Sequence, residues 1–370
     1  MTLRTGIAYL PLHTGKAPRY LFERMVKLAR ELSLIIVDEY GHLELMRRLA
    51  DPCWFQAFGC VLGYDWHSSG VTTVVCGALK EAWKPISSDI GLFIAGGKGG
   101  TSRKTPDEIL ARAAQLQVAP EPLVYASRLA AKVDNNALQD GYQLYHHSFI
   151  FDRQGRWVVV QQGMNEANRW ARRYHWLSET VKEFVNEPHS GIITSAFGQP
   201  LNMVARESEQ ARQASVALAL EKPWKNLAEL TRLQRLELPS RHRVLLEDIN
   251  PERIAGTLLS AYEAQPQNFE QLLGTPNVGP KTIRALALLA EIVHGAKPSF
   301  RDPARFAFAH GGKDGHPYPV DRKTYDRSIQ ILHQAVERAR LGDREKLELL
   351  RRLSRHASQL PVDQSGDSSA

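Results

Sequence analysis

The sequence predicts an α+β fold: a mixed α/β N-terminal domain with a β-hairpin-containing sheet, followed by an all-α domain. Three observations predict it. The first half alternates short β-branched apolar runs with Gly and Pro, and the second half carries helical periodicity punctuated by helix-stop residues. The length of 370 residues also exceeds one typical domain. The character changes near residues 205–225, which gives an expected division into 1–215, 216–360 and a polar tail 361–370.

Each element has its own signal. Residues 20–41 read as a helix running into a strand or a second helical turn. VTTVVCGA (71–78) and IGLFIAGG (90–97) read as buried strands bounded by Gly. Thr105-Pro-Asp-Glu108 reads as a helix start, with Thr105 as N-cap and Glu108 closing a capping box. YQLYHHSFIFDRQGRWVVVQQG (142–163) is a hairpin turning at Asp152-Arg-Gln-Gly155. Asn268 caps a short helix that Gly274 ends, Pro280 starts the next, and LGDREKLELLRRLSRHASQL forms a last amphipathic helix.

Composition narrows the function. Apolar residues at 43% and charged residues at 24% describe an ordinary globular chain. Lys and Arg number 47 against 40 Asp and Glu, a net charge of +7, and the pI near 9.3 favours a polyanionic partner. Three cysteines (Cys53, Cys60, Cys76) make no CxxC pair, which argues against a disulfide scaffold or structural zinc and for a reducing compartment. With no signal-like N-terminus and no apolar run of membrane-spanning length, a cytoplasmic protein without a membrane partner is expected.

The most informative stretch is TPNVGPKT (275–282). Two helices joined by a Gly-containing turn leave main-chain N–H groups near Val278 and Gly279 at the positive end of a helix dipole, and Lys281 adds a full charge. Such a site suits a phosphate, and contacts of this kind grip DNA of any sequence. The stretch resembles the helix-hairpin-helix motif of DNA-repair proteins, with Asn277-Val278-Gly279 in place of a Gly-Val-Gly turn. The resemblance implies a DNA interface at Asn277, Val278, Gly279, Lys281 and Thr282. It extends towards the helix-hairpin-helix glycosylases of the endonuclease III type, which implies Lys281 as a Schiff-base nucleophile and Asp321 in PVDRKTYDR as its carboxylate. This chain departs from that family in the 40 residues between the two, in an inserted Gly-rich segment HGGKDGHP (310–317), and in lacking cluster cysteines. On those grounds Lys281 reads as a phosphate contact and Asp321 as a helix cap.

A second backbone grip is expected at GGKGGTSRK (96–104), through Lys98, Arg103 and Lys104. Walker spacing is absent there, so ATP binding is excluded. The candidate catalytic pool is Asp65, His67, Asp134, Asp140, His146 and Gln162. Within it Asp134, Asp140 and His146 are the expected ligands of a divalent metal, Mg²⁺ or Mn²⁺, because metal-assisted hydrolysis needs carboxylate or imidazole ligands beside a strand. Asp140 before a strand and Gln162 on its partner resemble the restriction-type nuclease core, although no Glu-x-Lys follows. His146 and His147 point to opposite faces of a strand. His175 and His189 add to the titratable residues of this region.

Over most of its length the chain resembles the family known as domain of unknown function 763. GYDWHSSGVTT, AGGKGGTSRKTP, QDGYQLYHHSFIFD, VVVQQGMN, ARRYHWL, EPHSG and FAHGGKDGHPYPVDR carry the likeness. It implies that the two halves work as one unit. The expected activity is metal-dependent hydrolysis of DNA in repair or maintenance. A glycosylase or AP lyase at Lys281 and Asp321, or a DNA binder without chemistry, is the alternative. A homodimer is compatible with the sequence.

Overall fold

The computed structural model describes residues 17–64, 68–194, 196–233, 249–304, 306–307, 330, 332–339 and 342–358. Asp65, His67, the loop 310–317 and Asp321 lie outside them.

The chain opens with three helices. In α1 (Arg19–Ala50), Met25, Leu28, Leu32 and Ile36 recur at helical spacing along the buried side, and Gly41 interrupts the helix with φ 81°. α2 (Pro52–Val61) starts where the Asp51 carboxylate accepts from the Cys53 and Trp54 amides at 2.9 and 3.2 Å. α3 (Gly70–Trp83) overturns the strand expected at 71–78. Its β-branched run mimics a strand, but Val71, Val75 and Leu79 lie one turn apart and are all fully buried. A Cβ at Gly59 would stand 2.9 Å from Val71 Cγ1, so the small residue on α2 is what lets the two helices approach so closely.

After a single turn, α4 (Ser87–Ile90), the chain enters β1 (Leu92–Lys98), the second expected strand. A 3₁₀ turn over Gly99–Lys104 leads to α5 (Thr105–Leu110). The expected capping box does not form. Thr105 Oγ1 donates to the Ser102 carbonyl at 2.6 Å, while Glu108 takes the Gly96 amide at 2.9 Å and Lys80 Nζ at 2.6 Å. Thr105 therefore closes the turn onto itself and Glu108 anchors α5 to β1, so neither side chain closes the helix end. α6 (Glu121–Lys132) runs into a π-helical turn, Val133–Ala137, and β2 (Leu138–Gln139) follows.

The expected hairpin is β3 (Gln143–Asp152) and β4 (Trp157–Asn165), with the Asp152 carboxylate accepting the Arg156 amide at 3.0 Å and Gly155 at φ 83°. β5 (Trp170–Leu177) and β6 (Gly191–Thr194) extend the sheet, and β7 (Leu201–Asn202) pairs with β2. The C-terminal half supplies α7 (Glu209–Ala219), α8 (Pro223–Leu233), α9 (Pro251–Ala264), α10 (Phe269–Gly274) and α11 (Pro280–His294). β8 (Phe306–Ala307) and α12 (Asp343–Ser358) complete the described elements.

The main sheet runs β1-β3-β4-β5-β6-β8, antiparallel except for the last pair. Alternation places most of its apolar side chains in two clusters, with Tyr174 and Ile192 in a small third one beside Leu138 and Ala304. Leu92, Ile150, Val158, Val160 and Leu177 meet α1–α3 and, from the far end of the chain, Leu349 and Leu353. Phe93, Phe149, Val159 and Trp176 meet α6 together with helices of the C-terminal half, α7 to α11. The fold is α+β, a sheet between two helical layers, and residues of both halves enter both clusters. Residues 215 and 216, where the sequence-based division falls, lie within α7.

Candidate functional site

The turn at 275–279 adopts the geometry its residues allow. Asn277 takes φ 65°, the left-handed conformation that Asn tolerates better than most side chains. Val278 is 2% exposed and plugs the turn into the core, while Thr282 turns inward and meets Thr257 Oγ1 at 2.9 Å. These two side chains, expected at the interface, are therefore structural. Pro276, Asn277 and Lys281 are exposed and Gly279 half-exposed. Among the described residues no acceptor meets the N–H groups of Asn277, Gly279 or Lys281, which lie at the N-terminus of α11.

The opposite side of this hairpin is fastened to the segment after α6. Lys132 Nζ donates to the carbonyls of Leu273, Gly274 and Thr275 at 2.8, 3.1 and 2.8 Å, satisfying the C-terminus of α10. Gln139 Nε2 donates to the Pro280 carbonyl at 2.7 Å, and its Oε1 accepts from Arg284 at 2.8 Å. Half-buried Lys132 has its pKa lowered by desolvation. The Lys281 side chain is exposed, whereas a nucleophilic lysine sits in a desolvated site.

The candidate catalytic residues do not share one place. His146 and Gln162 are cross-strand neighbours on the face covered by α1–α3. Gln162 bonds Thr72, Tyr145 and the Ser69 carbonyl. His146 lies 3.0 Å from Ser148 Oγ, its Nδ1 is buried without a partner, and burial pushes its pKa down to about 3. A β-bulge precedes His146, yet His146 and His147 still face opposite ways. Lys98, Arg103 and Lys104 form an exposed basic edge beside this end of the sheet, with Lys98 Nζ 5.9 Å above the Tyr145 ring.

Asp134 and Asp140 lie on the other face, so the sheet stands between them and His146, and the three cannot ligate one ion. Asp140 is saturated: Arg172 donates to it at 2.9 Å, Tyr174 Oη at 2.7 Å and the Tyr142 amide at 3.0 Å. Arg172 also holds Asp302 at 2.7 Å. Among the described residues no three His, Cys, Asp or Glu side chains stand together as a metal site.

Asp134 is the end of a buried chain of side chains whose protons are determined by their partners. Gln161 Nε2 donates to Asp134 Oδ2 at 2.6 Å and to the Ala130 carbonyl, so Gln161 Oε1 must accept from His147 Nδ1 at 2.8 Å. His147 Nε2 then accepts from Ser127 Oγ at 2.8 Å. Trp176 Nε1 donates to Asp134 at 2.9 Å, and His189 Nε2 donates to its other oxygen at 2.5 Å. His189 was visible in the sequence only as one of many titratable residues. Its ring packs edge-on to Trp176 at 4.7 Å and lines a cavity of about 270 Å³ with Glu187, Asn202, Glu207, Arg301 and Asp302. Glu187 holds the left-handed region at φ 47°, local strain beside that cavity.

Among the described residues, no helix is long and apolar enough to cross a membrane. No curated protein and no solved structure matches the chain. A family model described as "Protein of unknown function (DUF763)" matches residues 6–320.

Proposed function

The chain belongs to the DUF763 family, and we propose that it binds DNA along the sugar-phosphate backbone and hydrolyses phosphodiester bonds. The observation that carries the reading is the outward turn at 276–281, where unpaired amides at a helix N-terminus stand beside exposed Lys281. The basic edge at Lys98, Arg103 and Lys104 offers a second strand contact, and the net charge of +7 has the sign such a partner requires. A divalent ion, Mg²⁺ or Mn²⁺, is the cofactor proposed for the hydrolysis.

Anisotropy of a labelled duplex over a salt series tests the binding. Lys281→Glu is expected to weaken affinity at least tenfold and to lower the salt slope by about one contact. Unchanged affinity in that variant would sink the reading. Incubating nicked, gapped, abasic and single-stranded DNA with and without Mn²⁺ tests the chemistry, with EDTA expected to stop cutting. Borohydride is expected to trap no covalent adduct, since Lys281 lacks the desolvation a Schiff-base lysine needs.

A further inference from the structure

We propose that His189 is the general base of the phosphodiester hydrolysis, held in its reactive tautomer by Asp134, with Arg301 taking the scissile phosphate. This rests on the reading of a phosphodiester substrate but not on the hairpin.

The tautomer follows from the hydrogen bonds. Asp134 is fully buried and accepts from Gln161, Trp176 and His189. His189 Nε2 therefore carries the proton, and a neutral ring has its lone pair on Nδ1. Nδ1 has no partner among the described residues and is not sealed from solvent, although the His189 side chain is only 7% exposed. A buried carboxylate behind an imidazole fixes the ring's orientation and stabilises the imidazolium once it forms.

Each acid of the cavity has an arginine partner. Asp302 is already neutralised by Arg172 at 2.7 Å. Glu187 and Glu207 are paired with Arg206 and Arg301, each at 3.6 Å, and the two arginine side chains are 80% and 81% exposed. Pairs this exposed bind weakly, so Arg301, which lines the cavity, can exchange its glutamate for a phosphate oxygen. In the reaction a water oxygen bonds to phosphorus while His189 Nδ1 accepts the water proton. The bond from phosphorus to the leaving oxygen breaks, and the leaving alkoxide takes the proton back from His189. Water is the only co-reactant, and these proton transfers involve no group of the proposed divalent ion.

The experiment measures turnover of DNA and of the small diester bis(p-nitrophenyl) phosphate by the full chain. His189→Ala is expected to lower turnover at least 100-fold on both, within the range a general base supplies, with DNA affinity within twofold of wild type. Added imidazole is expected to restore part of the lost rate. Arg301→Ala is expected to raise KM more than it lowers kcat. Wild-type turnover in His189→Ala, or no turnover of either diester by the wild type, overturns the proposal. Loss of DNA affinity in Lys281→Glu with intact His189-dependent cleavage of the small diester leaves this proposal standing. Normal DNA binding with His189-independent cutting defeats it and leaves the hairpin reading in place.

Discussion

At the scale of single residues, three histidines of the sheet are held neutral by burial. Desolvation pushes His146 down to about 3, lowers His147 against the opposing bond from Gln161, and lowers His175 well below the usual range with help from Arg173. Each folded-state pKa is depressed, so the unfolded chain binds more protons as the pH falls. The stability these groups contribute is present above the ordinary value of about 6.5 and is lost as pH falls from there towards 3. For His146 the slope is expected to approach about 1.4 kcal/mol per pH unit between those values. Urea unfolding at several pH values between 7.5 and 5 measures it, and His146→Leu is expected to remove one histidine's share. A slope unchanged by that substitution would show that His146 is protonated in the folded chain. The density of His, Asp and Gln in this region is legible in the sequence, but the grouping is not. Asp134 meets Gln161, Trp176 and His189 at separations of 27, 42 and 55 residues, and only the folded sheet brings them to one carboxylate. Strand parity did place His146 and His147 on opposite faces in advance, because that rule needs no tertiary information.

At the scale of elements, the segment from Lys132 to Gln139 ties two features together. Its π-helical turn carries Asp134, behind His189, while Lys132, Asn136 and Gln139 hold the outer hairpin by its carbonyls. Lys132→Met keeps the aliphatic stem and deletes three charge-assisted bonds to the end of α10. Hydrogen bonds to charged groups contribute roughly 1.5–3 kcal/mol each when well made, but these three share one ammonium and loosen one helix end. The expected outcome is faster amide exchange at 273–283 and a severalfold loss of DNA affinity, without change at the His189 cavity. Exchange measured by mass spectrometry checks it; an unchanged rate at 273–283 would show that Val278 and the core alone fix the turn. Elements were legible where local chemistry determines them, as at the turn Asp152–Gly155 and the cap Asn268. They were misread where a β-branched run sits on a helix. The run Val71-Thr-Thr-Val-Val75 favours a strand by type, while Val71, Val75 and Leu79 are spaced for a helix, and packing against Gly59 decides for the helix.

At the scale of the whole molecule, chain order and spatial order diverge. α12, the last described helix, contributes Leu349 and Leu353 to the same cluster as α1–α3, and Arg352 reaches Gly63 beyond the end of α2. The sheet is thereby covered on one face by the two ends of the chain and on the other by its middle. A composition shift near residue 215 cannot reveal this, since composition records what a segment is made of and not what it packs against. Leu353→Ala deletes a side chain that is 2% exposed, and core truncations of this kind cost about 2–5 kcal/mol. The loss is expected to fall on the whole sheet and not on the C-terminal helices alone. Trp54 and Trp83 report on the layer beside α12, and Trp157 and Trp176 on the opposite layer. If the sheet unites both layers, single-tryptophan variants give coincident urea transitions, and Leu353→Ala shifts all of them by the same amount. A shift confined to Trp54 and Trp83 would instead make the two layers independent folding units, with the hairpin and the cavity around His189 together in the layer of Trp157 and Trp176.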